Sequence, residues 1–303
     1  MNSWNLETLI PLVLESGRIG LSYFDYPEKE YKADDSIVTL ADKTIEAFLT
    51  DRLEDVDQGV YLLGEETIAQ KPEDYLTSAF RRTAWVIDPI DGTAPFANNL
   101  PNWGVSIGFM QKGVLKEGIV FLAALGELYY SDKGTTWREK LGADPALWAS
   151  RLGQPVALKP PASPEIPRGC MISISQQLAR FGSYRLPFYV QVTGSSVFNM
   201  TRLAAGSFGA LVTRFKLWDF AACLPLLNNL GWTMVFHGSG QSMGLTMDDS
   251  AIINIAGHPD RWSSLDHVVF APSRTAADLV RQKISFADEI GSAAQNEPLN
   301  RLE

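Results

Sequence analysis

The chain has 303 residues, 46% of them hydrophobic, enough to bury a large core as one domain or two half-size units. Its net charge is −9 with no basic run, which argues against nucleic acid as the main partner. No apolar run reaches the length of a membrane span and the opening Met1-Asn2-Ser3-Trp4-Asn5 lacks signal-peptide character, so a cytoplasmic protein with no membrane partner is expected.

Leu6, Leu9, Ile10, Val13, Leu14 and Leu21 form one apolar stripe and predict a helix over residues 3–24, which Ser3 can cap and Pro11 kinks or delays. Residues 31–36 read as a polar loop. Thr39 and Asp42 then have capping-box spacing, with Ile45, Phe48, Leu49 and Leu53 as the helical stripe behind them. Val60-Tyr61-Leu62-Leu63 is a short strand ending in Gly64-Glu65-Glu66-Thr67. Trp85-Val86-Ile87 is a strand that stops at Asp88, because Pro89 has no N–H to donate. Asp91-Gly92-Thr93 reads as a tight turn opening a helix. Two carboxylates then stand beside free backbone N–H groups; the first suit a divalent metal and the second suit phosphate. The same nine residues also fit an ordinary Asp-Gly turn.

Residues 105–110, 118–122 and 127–131 predict successive strands of an antiparallel meander. Residues 135–167 carry no clear periodicity, and a proline-rich linker over 154–167 divides one domain into subdomains of about 1–153 and 168–287. Beyond it come strands over 171–174, 209–213, 232–236, 252–255 and 267–270. Helices are expected over 176–181, 194–205, 219–230 and 273–286, with Asp219 as a cap. Residues 237–249 read as a mobile loop and the tail after Ala287 as weakly ordered. Cys170 and Cys223 read as reduced core residues, and His237, His258 and His267 lack zinc-type spacing.

Six acids thus fall at element ends: Asp42, Glu65, Glu66, Asp88, Asp91 and Asp219. Brought together they repel one another unless cations neutralise them, and carboxylates without Cys or His select Mg²⁺ or Mn²⁺. Gly64-Glu65-Glu66, then Asp88-Pro89-Ile90-Asp91-Gly92-Thr93 with Phe96, then Trp218-Asp219 with Ala221-Ala222, resemble the three signatures of the inositol monophosphatase superfamily. Lys32, Val38-Thr39, Gly194-Ser195 and Lys216 extend the resemblance across roughly residues 5 to 285.

The resemblance implies a layered αβαβα sandwich of the inositol monophosphatase/fructose-1,6-bisphosphatase type. It implies that Glu65, Asp88 and the Ile90 carbonyl hold one Mg²⁺, that Asp88, Asp91 and Asp219 hold a second, and that Glu65 helps with a weaker third; Mn²⁺ can substitute. Thr93, bonded to Asp42, would orient and deprotonate the water, with help from Glu66. The N–H groups of Gly92 and Thr93 would hold phosphate. Asp91, Gly194, Ser195, Ser196, Lys216 and Asp219 would meet the substrate, and a lithium-sensitive homodimer is implied.

Some positions depart from the inositol pattern: Ala94-Pro95 after Thr93, and Val212 where an inositol-contacting Glu is common. Asn102-Trp103-Gly104 and Pro225 look more like the histidinol-phosphatase branch. Lys32-Ala33-Asp34 with Ser36-Ile37-Val38-Thr39 resembles the phosphoadenosine branch. The reading is a Mg²⁺-dependent phosphomonoesterase for a small soluble ester, an inositol monophosphate or a related sugar or polyol phosphate. Its alternatives are a histidinol-phosphate or 3′-phosphoadenosine 5′-phosphate phosphatase, a catalytically silent metabolite-binding regulator, and a metal-dependent phosphotransferase or nucleotidyltransferase. The last lacks a Gly-rich Lys-Ser/Thr loop.

Overall fold

Two helices, α1 (Leu6–Phe24) and α2 (Leu40–Leu53), flank a short antiparallel pair, β1 (Lys29–Tyr31) and β2 (Ile37–Thr39). The computed structural model describes residues 3–25, 27, 29–31 and 37–286. Lys32 and Asp34, and the tail from Ala287, lie outside the described residues. Asn5, not Ser3, caps α1: its side chain accepts the Glu7 N–H at 3.0 Å, and Pro11 sits inside the helix. At α2 the capping box is formed as read, with Asp42 Oδ2 accepting from Thr39 N at 2.8 Å and from the Thr39 hydroxyl at 2.6 Å.

The next elements are β3 (Val60–Gly64), α3 (Glu73–Arg81), β4 (Thr83–Asp91), α4 (Thr93–Ala97), β5 (Gly104–Gln111), β6 (Val114–Leu122), β7 (Glu127–Asp132), β8 (Thr135–Lys140), α5 (Trp148–Arg151) and β9 (Val156–Ala157). Their strands form one sheet in chain order. Only the β3–β4 pair is parallel, so the expected meander is present. It is extended by β8 and β9, which the sequence conceals. Glu139 in β8 is buried, which no alternation rule anticipates. Its carboxylate is satisfied locally by the N–H groups of Gly153 at 2.7 Å and Gln154 at 3.1 Å.

The second half contains β10 (Met171–Ile174), α6 (Gln176–Phe181), β11 (Gly182–Tyr184), β12 (Tyr189–Gln191), α7 (Ser196–Ala204), β13 (Phe208–Thr213), α8 (Leu217–Ala221), α9 (Cys223–Asn229), β14 (Thr233–Phe236), β15 (Val268–Ala271), α10 (Arg274–Lys283) and β16 (Ile284–Phe286). Five strands make a mixed sheet in the order β12-β10-β13-β15-β14, and β11 pairs with β16. The structure departs from the sequence expectations at several places here. Residues 252–255 are not a strand; Ile252 makes a single bridge to Ser264. The expected final helix ends at Lys283, and β16 replaces its last turn. The stretch 237–249 is docked, with Met243 and Met247 buried and Leu115 N–H donating to the Leu245 carbonyl at 2.9 Å. Cys170 is only half-buried, whereas Cys223 is buried.

Alternation along the strands sorts the layers. Trp85 and Ile87 of β4 pack with Leu9 and Val13 of α1 and Ile45 and Leu49 of α2. Ala84 and Val86 face the other way, onto Met200 of α7, Phe220 of α8 and Leu224 of α9, which also receive Leu211 and Phe270 of the second sheet. Val212 and Val269 face outward onto Leu178 of α6 and Val280 of α10. The sequence of layers is helix, sheet, helix, sheet, helix.

Candidate active site

Strand β4 does not stop at Asp88. It runs to Asp91, and its register against β5 shifts on the way: Asp88 opposes Ser106 and Asp91 opposes Gly104. Three steps on β4 therefore match two on β5, which is a bulge at Pro89-Ile90, where proline's missing N–H removes a ladder bond. In a regular strand, residues three apart point to opposite faces. The extra residue cancels that half-turn and brings both carboxylates to one side.

Asp219 arrives from the other half. It lies in the first turn of α8, where it accepts the Lys216 N–H at 3.0 Å; the helix starts two residues earlier than read, and Lys216 rather than Asp219 is its cap residue. The α8–α9 junction lies flat on the sheet because Gly108 and Gly118 pair across β5 and β6. A Cβ on Gly108 would stand 2.7 Å from the Ala221 carbonyl carbon, and one on Gly118 would stand 1.9 Å from the Ala222 oxygen. Neither glycine carries chemistry, and sequence reasoning misses both; their spacing across a hairpin is the available signal.

As a result, one oxygen each of Asp88, Asp91 and Asp219 fall within 4.8 Å of one another. Asp88 and Asp91 are buried and Asp219 is partly exposed. Burial, then repulsion from Glu65, Asp91 and Asp219, pushes the Asp88 carboxyl well above its ordinary range. Burial raises Asp91 to about 7, against the opposing pull of hydrogen bonds from Ser195 and Val197. Asp219 is also raised well above 3.8, by burial and by Asp91 and Glu65. Asp88 Oδ1 is buried with no hydrogen-bond partner. An orphaned buried carboxylate oxygen within an all-oxygen acidic cluster is the donor set of a hard divalent cation, so the residues fit such a metal.

Glu65 and Glu66 follow β3 in a half-buried turn, and Glu65 acts electrostatically on Asp42, Asp88, Asp91 and Asp219. Gly92 has φ +90°, and a Cβ there would meet Ser195 Cβ at 2.8 Å and the Asn102 carbonyl at 2.9 Å, so only glycine fits this left-handed turn. The Thr93 hydroxyl lies 3.1 Å from the Ile90 carbonyl and 3.4 Å from Asp42 Oδ1. Burial raises Asp42 to about 6. The Ser195 hydroxyl donates to Asp91 Oδ1 and accepts the Phe198 N–H at 3.2 Å, capping α7. A buried carboxylate that the sequence reading misses, Glu46 of α2, lies beneath the 65–66 turn; its position four residues past Asp42 is the signal.

Four of the predicted substrate contacts, Gly194, Ser195, Ser196 and Lys216, divide between two cavities, and Asp91 and Asp219 line neither. One, of about 270 Å³, is lined by Gly194, Ser195, Ser196, Asn199, Thr213 and Arg214. The other, of about 410 Å³, is lined by Glu65, Glu66, Lys216, Trp218, Arg261 and Trp262. Val212 belongs to neither; its side chain is in the outermost core.

The family model described as the Inositol monophosphatase family matches residues 6–266, and the chain belongs to this family. An inositol-1-monophosphatase of Bacillus subtilis is 28% identical over 213 residues, 65% of this chain and 71% of that protein. A fructose-1,6-bisphosphatase/inositol-1-monophosphatase of Thermotoga maritima is 27% identical over 236 residues, 76% and 80% of the two chains. A histidinol-phosphatase of Chlorobaculum parvum is 32% identical over 133 residues, 43% and 49% of the two chains. Among solved structures, a Thermotoga maritima IMPase superposes with TM-score 0.67 at 20% identity, covering 91% of this chain and 96% of that one, which shows the αβαβα fold. Members of the family are metal-dependent phosphatases, and this chain is a phosphomonoester hydrolase. No described helix is long and apolar enough to cross a membrane.

Proposed function

We propose that the chain is a Mg²⁺-dependent phosphatase for a small soluble phosphate ester, an inositol monophosphate or a related sugar or polyol phosphate. The observation that carries this reading is the convergence of Asp88, Asp91 and Asp219 beside the Gly92-Thr93 turn. Glu65, Asp88 and the Ile90 carbonyl would hold one ion, Asp88, Asp91 and Asp219 a second, and Glu65 would share a third. Mg²⁺ or Mn²⁺, when bound, supplies Lewis-acid stabilisation of the attacking and leaving oxygens.

The chain's own residues do the rest. Gly92 and Thr93 offer backbone N–H groups to the phosphoryl oxygens. The Thr93 hydroxyl orients the water, and Asp42, ionised above about pH 6, accepts the proton passed through it, with Glu66 assisting. Asp91 and Asp219 would meet the ester together with Gly194, Ser195 and Ser196, which line one cavity, and Lys216, which lines the other. The family habit of a cytoplasmic, lithium-sensitive homodimer is carried over to this chain. So is the division into subdomains about residues 154–167.

The test is phosphate release with Mg²⁺ from inositol 1-phosphate, fructose 1,6-bisphosphate, 3′-phosphoadenosine 5′-phosphate, histidinol phosphate and glycerol 2-phosphate. A preferred substrate names the enzyme. No release with Mg²⁺ or Mn²⁺ would abandon the hydrolase reading for a metabolite-binding regulator.

A further inference from the structure

Helix α2 carries a second buried carboxylate that the chemistry above does not use. Glu46 is 1% exposed, and its Oε2 accepts the Glu66 N–H at 2.9 Å. The carboxyl group therefore lies directly beneath the turn that carries Glu65 and Glu66. Gly64 opens that turn, and a Cβ on it would stand 2.5 Å from Glu46 Cδ and 2.5 Å from Oε1. A bare position at 64 is what admits the carboxyl group.

This arrangement is costly if its purpose is packing. Among the described residues no cation pairs with Glu46, its Oε1 has no hydrogen-bond partner, and burial and Glu65 oppose its charge, against hydrogen bonds from Thr67 and Glu66 of the same turn. The helix positions around it, Ile45 and Leu49, are filled by aliphatic side chains in the core. A leucine at this position would satisfy the same layer without burying a polar group. Violations of that kind concentrate where geometry matters for function. Asp42 lies one turn earlier on the same helix face and reaches Thr93. One rigid helix thus holds both the hydroxyl at the water position and the turn bearing a predicted metal ligand.

We propose that Glu46 is a positioning residue: by gripping the Glu66 amide it fixes the Glu65–Glu66 turn and thereby sets the affinity of the acidic cluster for Mg²⁺. The inference rests on the metal reading given under Proposed function. It assigns Glu46 no contact with substrate or ion.

The experiment is calorimetric titration of the purified full chain with Mg²⁺, alongside phosphate release as a function of Mg²⁺ concentration and thermal midpoints in EDTA. Glu46→Ala should weaken Mg²⁺ binding by about 10-fold or more, with turnover recovering at saturating Mg²⁺. Glu46→Gln keeps an oxygen for the Glu66 amide and should stay within about threefold of the wild type, because the role is positional and not one of charge. Gly64→Ala should weaken Mg²⁺ binding in the wild type and add little in the Glu46→Ala background, where the carboxyl group it collides with is gone. Should Glu46→Ala fail to fold, Glu46→Asp, one methylene shorter, should give the same direction of loss.

Wild-type Mg²⁺ affinity in the Ala or Asp variant, with only a lowered midpoint, would overturn the proposal and leave the metal reading standing. So would an equal Gly64→Ala penalty in both backgrounds. A wild-type chain that takes up no Mg²⁺ would overturn the metal reading itself.

Discussion

Ser195 donates its hydroxyl to Oδ1 of Asp91, and the Val197 N–H reaches the same oxygen at 3.1 Å. The bulge of the first sheet is thereby fastened to the start of α7, which packs beneath the second. Both donors favour the ionised form of a carboxyl that burial drives up to about 7. Ser195→Ala removes one of them and the cap of α7 together. The variant should lose about 1 kcal/mol of stability, the typical value of a cap. It should also bind Mg²⁺ about 10-fold more weakly, as loss of a ligand-orienting partner does. Denaturant unfolding and a Mg²⁺ titration read the two effects separately. A change in stability alone would mean that Ser195 serves α7 and not Asp91.

Asp88→Asn should abolish phosphate release, because Asp88 is proposed as a ligand shared by two ions. The same change should raise the thermal midpoint of the metal-free protein at pH 8, since it removes a buried carboxyl that burial and repulsion from Glu65, Asp91, Asp219 and Asp42 make costly to ionise. The opposite signs are the point: a residue serving structure alone would lower both. Retained turnover, or a lower metal-free midpoint, would refute the assignment.

Much of the site is legible in the sequence, because its residues stand at element ends where turns and caps leave local marks. Thr39-Asp42 and Gly92-Thr93 form the cap and turn their spacing predicts. The bulge is hidden: Pro89 signals a break in pairing, and only the β4–β5 register shows that pairing resumes at Asp91. The glycine pair 108/118 is equally silent, since its meaning depends on a helix arriving more than 100 positions later. β8 escapes because its buried acid, Glu139, is satisfied by loop amides that no periodicity encodes. The end of the last helix escapes for a similar reason: Ile284–Phe286 becomes a strand only because Gly182–Tyr184 is there to pair with it.

The metal-free protein should become less stable as pH rises from about 4 to about 7. Burial lifts Asp42 to about 6 and Asp91 to about 7 in the folded chain, against 3.8 for an ordinary aspartate, and Asp88 and Asp219 move the same way. Through that window the folded state holds more protons than the unfolded one, so the slope of unfolding free energy with pH is negative for these groups. Bound Mg²⁺ stabilises the ionised carboxylates and should cancel the loss. The midpoint gain on adding Mg²⁺ should therefore grow with pH. Melting curves at a series of pH values, in EDTA and in Mg²⁺, test this; a gain independent of pH would separate the carboxylates from the ion.

Thr93 stands with its hydroxyl 3.1 Å from the Ile90 carbonyl and 3.4 Å from Asp42 Oδ1, so its single proton has two acceptors in reach. The proposed chemistry needs the Asp42 route, because only Asp42 can keep the proton. Thr93→Ala should leave Mg²⁺ affinity near the wild-type value and cut turnover by about 10²- to 10⁴-fold, the usual worth of a positioned general base. Thr93→Ser restores the hydroxyl and should recover most of the rate. The pH profile adds a second readout. Asp42 is raised to about 6 in the metal-free chain, and bound Mg²⁺ favours its carboxylate, so wild-type kcat/KM at saturating Mg²⁺ should climb with pH through an apparent pKa below that value and then level off. Asp42→Asn should remove that limb along with most of the rate. If the limb survived in the Asp42→Asn variant, the titrating base would lie elsewhere, with Glu66 the first residue to test, since it is the other acid proposed to act on the water.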